Sequence, residues 1–194
     1  TRRGAPEVDA GTMDAWNQMM TIVNGGLASP EAYALLRQYL DVEDFIDYMM
    51  LHQYASNHDG PLSTIANNMR AIRRRAPGAQ FRFHVWDMEY TFWYPQEFNL
   101  AFDLDQCPAR IFQRLRANPE FRLRWADHAH KHLLNGGALT PAPAAARWQA
   151  RAEELVGAIV GESARWGDVR RTPPYTRNVE WTNELNRLLY EYFP

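Results

Sequence analysis

Hydrophobic spacing changes period once along this chain, and that change limits what it can fold into. Up to about residue 56, and again from about residue 118, apolar residues recur three and four apart, as on helices with one buried face. Between those blocks "QFRFHVW" alternates apolar with polar, which is the period of a strand. With "NMRAIRRR" before it and the turn residues "APGA" between them, the region predicts a two-stranded hairpin. The fold class that follows is mainly α with a small β-hairpin.

Helix punctuation supports the reading. Thr12 is placed to cap "TMDAWNQMMTIV", which puts Met13, Trp16, Met20 and Val23 on one face before Gly25-Gly26 stops it. Ser29 followed by Pro30 starts "SPEAYALLRQYL". "DVEDFIDYMMLHQYA" turns Val42, Phe45, Ile46, Met49, Met50 and Tyr54 towards a core. Asn118 and Pro119 open "NPEFRLRWADHAHKHLLNGG", which Gly136-Gly137 closes. Two more helices are expected, over "APAAARWQARAEELVGAIVGESARWGD" and "VEWTNELNRLLYEYF".

With 194 residues and 46% hydrophobic content, a single domain over 1–194 is the expectation. The formal charge of −2 gives no pull towards nucleic acid or an anionic membrane. No apolar run is long enough to span a bilayer. One cysteine, Cys107, excludes an intrachain disulfide. The polar opening at Thr1 reads as the start of a piece excised from a longer protein.

The chemistry gathers at one end of the hairpin. Asp59 follows the third helix in a polar loop, Asn68 opens the first strand and Asp87 closes the second. A hairpin brings its two ends together, so Asn68 and Asp87 are expected as neighbours with Asp59 close by. Such an oxygen set suits Mg²⁺, and its order is that of protein kinases, an Asp orienting the hydroxyl and then an Asn and an Asp on metal. The Asn stands nine residues after the Asp here, against five in the standard kinase loop. The other reading makes Asp59 and Asn68 turn formers and Asp87 a strand-end cap. If the strand continues through Met88, Val85, Asp87 and Glu89 share a face and Trp86 and Met88 turn into packing. Two acids on one face repel unless a cation lies between them or one is protonated.

Three stretches together resemble the CotH kinase family, secreted or spore-coat proteins with an atypical protein-kinase fold. They are "DVEDFIDYMMLHQYASNHD", "FRFHVWDMEYTF", and "NPEFRLRWADHAHKHLLNGGALT" with "ESARWGD", the last similar to a bacterial subgroup. The resemblance implies Asp59 as the catalytic-loop Asp and Asn68 as the metal-binding Asn, with Asn67 as the alternative. It implies Asp87 as the metal-binding Asp and Glu89 as a second metal ligand. It also implies an α+β kinase-like C-terminal lobe, with the lobe that carries the nucleotide-clamping lysine lying upstream. The cofactors implied are ATP with Mg or Mn, and the partners are a nucleotide and a Ser/Thr protein substrate, at a secreted or cell-surface location. This stretch by itself is then expected to bind ATP weakly or not at all. The rival from another class is a non-catalytic surface or coat module on the same scaffold.

Other features carry less. His128 and His132 are four apart in "HAHKH" and offer a metal pair, but also plain helix surface. Arg70, Arg73, Arg74 and Arg75 could grip phosphate; as a charged strand they split between two faces. Glu162 and Arg165 are spaced to pair on a helix. Cys107 lacks a nearby base, Asp105 of "DLDQ" suits a helix start, and "YTFWYPQEF" stands where a kinase activation segment would.

Overall fold

The computed structural model describes residues 6–57, 59–60, 68–93 and 108–194. The chain forms two units, Thr1–Ala129 and His130–Pro194. Helices predominate in both, and the first carries a two-stranded antiparallel hairpin, as the spacing predicts. Cys107, Asp103, Asp105, Asn67 and the latter part of the aromatic loop lie outside the described residues.

In the first unit, α1 (Asp14–Gly25) packs with α2 (Pro30–Leu36) and α4 (Ala109–Leu115). The buried stripe of α1 is Trp16, Met19 and Val23. Met20 was expected inward, but it is only partly covered and Met19 takes the place. Thr12 does not cap this helix. Its hydroxyl donates to the Asp14 carboxylate at 2.8 Å, and no side chain caps the first turn. Ser29 does cap α2, its hydroxyl accepting from the Ala32 amide, with Pro30 in the first turn.

The third helix, α3 (Val42–Tyr54), carries seven buried residues. Val42, Phe45, Ile46, Met49 and Met50 are buried as expected, and so are Tyr48 and His52. Burying an apolar side chain of this size stabilises by about 1.5–3 kcal/mol, so this stripe fixes how α3 seats. Asp41 caps the helix by accepting from the Asp44 amide.

The hairpin pairs β1 (Arg70–Ile72) with β2 (Arg82–His84), Arg70 opposite His84 and Ile72 opposite Arg82. Both strands are shorter than the alternation suggests. Arg73 to Arg75 lie beyond β1, and the Arg73 guanidinium donates to the Ala79 carbonyl across the turn. These arginines therefore form no two-faced strand.

Phe81 and Phe83 point inward and meet Trp16, Phe45 and Tyr48, with Phe45–Phe83 centroids 5.0 Å apart and Trp16–Phe81 edge-on at 5.3 Å. Three attachments then tie the segment to α3 and its approach. The Asp41 amide donates to the Phe81 carbonyl, and the Phe81 amide to the Tyr39 carbonyl. Asp44 accepts from the Arg82 guanidinium at 2.6 Å and the Phe83 amide at 3.1 Å. Further on, the Phe92 amide donates to the Ala55 carbonyl at 2.8 Å.

The fifth helix, α5 (Pro119–Leu133), opens on Asn118, a buried residue that works on two sides. Its side-chain oxygen accepts from the Glu120 and Phe121 amides, and its side-chain amide donates to the Leu27 carbonyl at 3.0 Å. One side chain thus caps α5 and ties it to the chain between α1 and α2.

The second unit contains α6 (Pro141–Trp166) and a helical run over 177–192, in which α7 (Thr182–Arg187) is flanked by wider π-helical turns. Ala144, Ala152, Leu188 and Phe193 are buried, and Trp148 meets Phe193 edge-on at 6.0 Å. Thr176 and Glu180 cap the last run reciprocally, the Thr176 hydroxyl accepting from the Val179 amide and the Glu180 carboxylate from the Thr176 amide. Glu162 and Arg165 do not pair as their spacing suggests; the Arg165 guanidinium lies over the Trp166 ring at 4.8 Å. Among the described residues, no helix is long and apolar enough to cross a membrane.

Candidate functional site

The end of α3 sets the first half of the site. After Tyr54 the helix unwinds through Ser56, which has a positive φ of 49°, and the Asn57 amide still reaches the His52 carbonyl at 3.1 Å. Asn57 is buried. Its side-chain oxygen accepts from the Asp59 backbone amide at 3.0 Å, and its side-chain amide lies 2.9 Å from His52 Nδ1. An amide nitrogen can only donate, so Nδ1 must be the acceptor and the imidazole proton sits on Nε2. Burial holds the His52 pKa down at about 4, so the ring is neutral in ordinary solution. Among the described residues, its buried Nε2 has no hydrogen-bond partner. Gly60 packs over this pair, and a Cβ there would stand 2.6 Å from the Asn57 amide nitrogen and 2.9 Å from His52 Nδ1.

The hairpin ends supply the second half. Asn68 donates its side-chain amide to the Asp59 carboxylate at 2.9 Å and more loosely to the Asp87 main-chain carbonyl at 3.4 Å. Both partners are acceptors, which fixes the orientation of the Asn68 amide and leaves its Oδ1 on the other side. Asn68 and Asp87 each adopt a left-handed backbone, φ 53°, a conformation Asn and Asp tolerate better than most residues.

The turn at Asp87 overrides the alternation argument for residues 85–89. Val85, expected on one face with Asp87 and Glu89, is exposed as they are. Trp86 does not turn into packing; it is 52% exposed, and the Arg70 guanidinium lies over its ring at 4.9 Å. Asp87 and Glu89 are both exposed, and among the described residues their carboxylates have no hydrogen-bond or ion-pair partner. The structure thus joins Asp59 to Asn68 through side chains and Asn68 to Asp87 through the main chain. Among the described residues, Asp59, Asp87 and Glu89 do not close into a cluster of three acids.

The family model described as CotH kinase protein matches residues 3–191. The chain belongs to the CotH kinase family. No curated protein and no solved structure gives a match. Within this CotH kinase chain, sequence reasoning missed His52 and gave Asn57 no role beyond its place in Asn-x-Asp, although a signal was present. A histidine on an otherwise apolar helix face, five residues before an Asn, is a buried polar group in need of a partner.

It also missed the setting of His128. The ring nitrogens lie 2.6 Å from the Asp47 carboxylate and 2.8 Å from the Glu43 carboxylate. Both acids come from one face of α3, at i and i+4.

Proposed function

We propose that this CotH kinase protein transfers the γ-phosphoryl group of ATP to a Ser or Thr hydroxyl of a secreted or coat protein. The observation that carries the reading is the Asn68 amide, which links the Asp59 carboxylate to the Asp87 main chain at the open end of the hairpin. The hairpin alone brings Asn68 beside Asp87; the further bond of Asn68 to the Asp59 carboxylate is what hairpin formation does not call for.

The donor types suit a hard divalent cation. Asp87, Glu89 and the Oδ1 of Asn68 are oxygen donors without a protein partner among the described residues, as Mg²⁺ or Mn²⁺ coordination asks. Asn68 and Asp87 would hold the ion, and Glu89 would contribute from the rim. When bound, the ion neutralises charge on the β- and γ-phosphates. Asp59 would orient the acceptor hydroxyl and take its proton as the bond from oxygen to the γ-phosphorus forms. The bond from that phosphorus to the β-phosphate bridging oxygen breaks, and ADP leaves.

The test is transfer from γ-labelled ATP to Ser/Thr proteins by the full-length gene product, with Mg²⁺ or Mn²⁺. Asp59→Asn and Asp87→Asn should each abolish it while leaving the circular dichroism spectrum intact. Metal-dependent transfer that survives both substitutions, or no nucleotide binding by the wild type, would overturn the reading.

A further inference from the structure

We infer that His52 and Asn57 are positioning residues for Asp59, an inference that rests on the catalytic reading of Asp59 given above. The pair forms a directed relay. The neutral imidazole accepts from the Asn57 amide at Nδ1, which leaves the Asn57 oxygen facing the Asp59 backbone N–H at 3.0 Å. Rotating the Asn57 amide by half a turn would set its N–H against the Asp59 N–H, so the Asp59 bond fixes the amide orientation and, through it, the imidazole tautomer. Gly60 closes over the relay where no side chain fits. The start of the Asp59 loop is thereby fixed from inside the core, and Asn68 holds the carboxylate from outside.

A purely structural role for His52 predicts something different. His52 is 1% exposed, and among the described residues its Nε2 has no partner. An orphaned buried donor is destabilising, and a leucine on this face of α3 would bury as much apolar surface without it. What an apolar residue cannot supply is an acceptor at Nδ1. Keeping an imidazole here makes physical sense if the bond to Asn57 is what matters.

The experiment compares His52→Leu, which removes the acceptor, with His52→Asn, whose side-chain oxygen can stand near Nδ1. Asn57→Ala cuts the same relay without altering α3 and serves if His52→Leu fails to fold. Two readouts are taken on the full-length gene product. One is hydrogen exchange at the Asp59 amide without nucleotide; the other is kcat and KM for phosphoryl transfer.

Loss of the relay should speed exchange at Asp59 about tenfold, the effect of one lost hydrogen bond on local opening. It should lower kcat on the order of 100-fold, as small misplacements of catalytic groups do, with KM for ATP little changed. His52→Asn should recover most of both losses. Equal behaviour of His52→Leu and His52→Asn, or unchanged Asp59 exchange in Asn57→Ala, would overturn the inference. A wild type without phosphoryl transfer would refute the kinase reading, and the exchange comparison would still decide whether His52 and Asn57 fix Asp59.

Discussion

Acidification should weaken this fold in a window set by His52. In the folded protein burial holds its pKa at about 4, against an ordinary value of 6.5. The unfolded chain therefore binds a proton more readily than the native one, and stability falls as pH drops between those values. The contribution is fully present above 6.5, declines through the interval and levels off below about 4.

Each pKa unit corresponds to about 1.4 kcal/mol, so lowering the pH from about 7.5 to 5 should remove roughly 2 kcal/mol of stability through this group alone. A domain with an unfolding free energy of about 5–15 kcal/mol would register that loss clearly. The assay is urea unfolding of wild type and His52→Asn at a series of pH values. Titrations common to both proteins cancel in the difference between them. His52→Asn is less stable at neutral pH because part of the ring volume is lost, so the slope of the difference carries the result. The two curves should converge by about 2 kcal/mol as pH falls to 5. Parallel curves across that range would refute the buried, neutral imidazole and the direction of its bond to Asn57.

Three further expectations follow. Asn118→Ala should cost about 2–3 kcal/mol, because it removes the cap of α5 and orphans the Leu27 carbonyl; denaturant midpoints measure it, and Asn118→Asp should restore only the capping share. For Glu43, burial disfavours the charge, but hydrogen bonds from His128 and Arg124 outweigh it and lower the pKa below the ordinary 4.5. Its contribution is present above 4.5 and is lost as pH falls through the folded value, so the stability gap between wild type and Glu43→Gln should shrink in that range of acid melts. Asp87→Asn should abolish phosphoryl transfer with the apo melting temperature unchanged or slightly raised, since Asn suits φ 53°; Glu89→Gln should cost less activity, and a metal titration of thermal melts separates the two.

Much of this was legible in the sequence, for reasons particular to each element. Ser29-Pro30 and Asn118-Pro119 are start signals that act through local hydrogen bonds, and both are made. Val42, Phe45, Ile46, Met49 and Met50 of α3 were legible because helical spacing and apolar type agree there; Tyr54, expected with them, is only partly covered, and Tyr48 and His52 are buried without having been expected. Met20 was misplaced because Met19 is chemically the same residue one position away, and pattern alone cannot phase a stripe between them. The strands were overextended because alternation continues in Val85 and the arginines after backbone pairing has ended.

At the site, residue types and order brought Asp59, Asn68 and Asp87 to notice. The left-handed turn at Asp87 has no spacing signature, so the way it aims the carboxylate had to come from the backbone. Glu43 and Asp47 around His128 were out of reach for another reason: they are more than eighty positions away in sequence, and only packing brings them there.

The attachments of the hairpin segment to α3 have a consequence in lengths. Asp44 holds Phe83 near the start of the helix, and Ala55 holds Phe92 just past its end. Along the helix those points are about 16 Å apart at 1.5 Å per residue. The chain from Phe83 to Phe92 could reach about 30 Å if fully drawn out, so close to half its length is slack. Slack between two fixed points has to be spent in bends, and the two left-handed residues in this stretch, Asp87 and Phe92, are where it goes. The outward carboxylate of Asp87 is thus the crest of a bow in an overlong tether. Shortening residues 85–91 by one or two would pull that bow flat and draw Asp87 away from Asn68, whereas the turn at 76–79, lying outside the tethered span, could change length without moving either end.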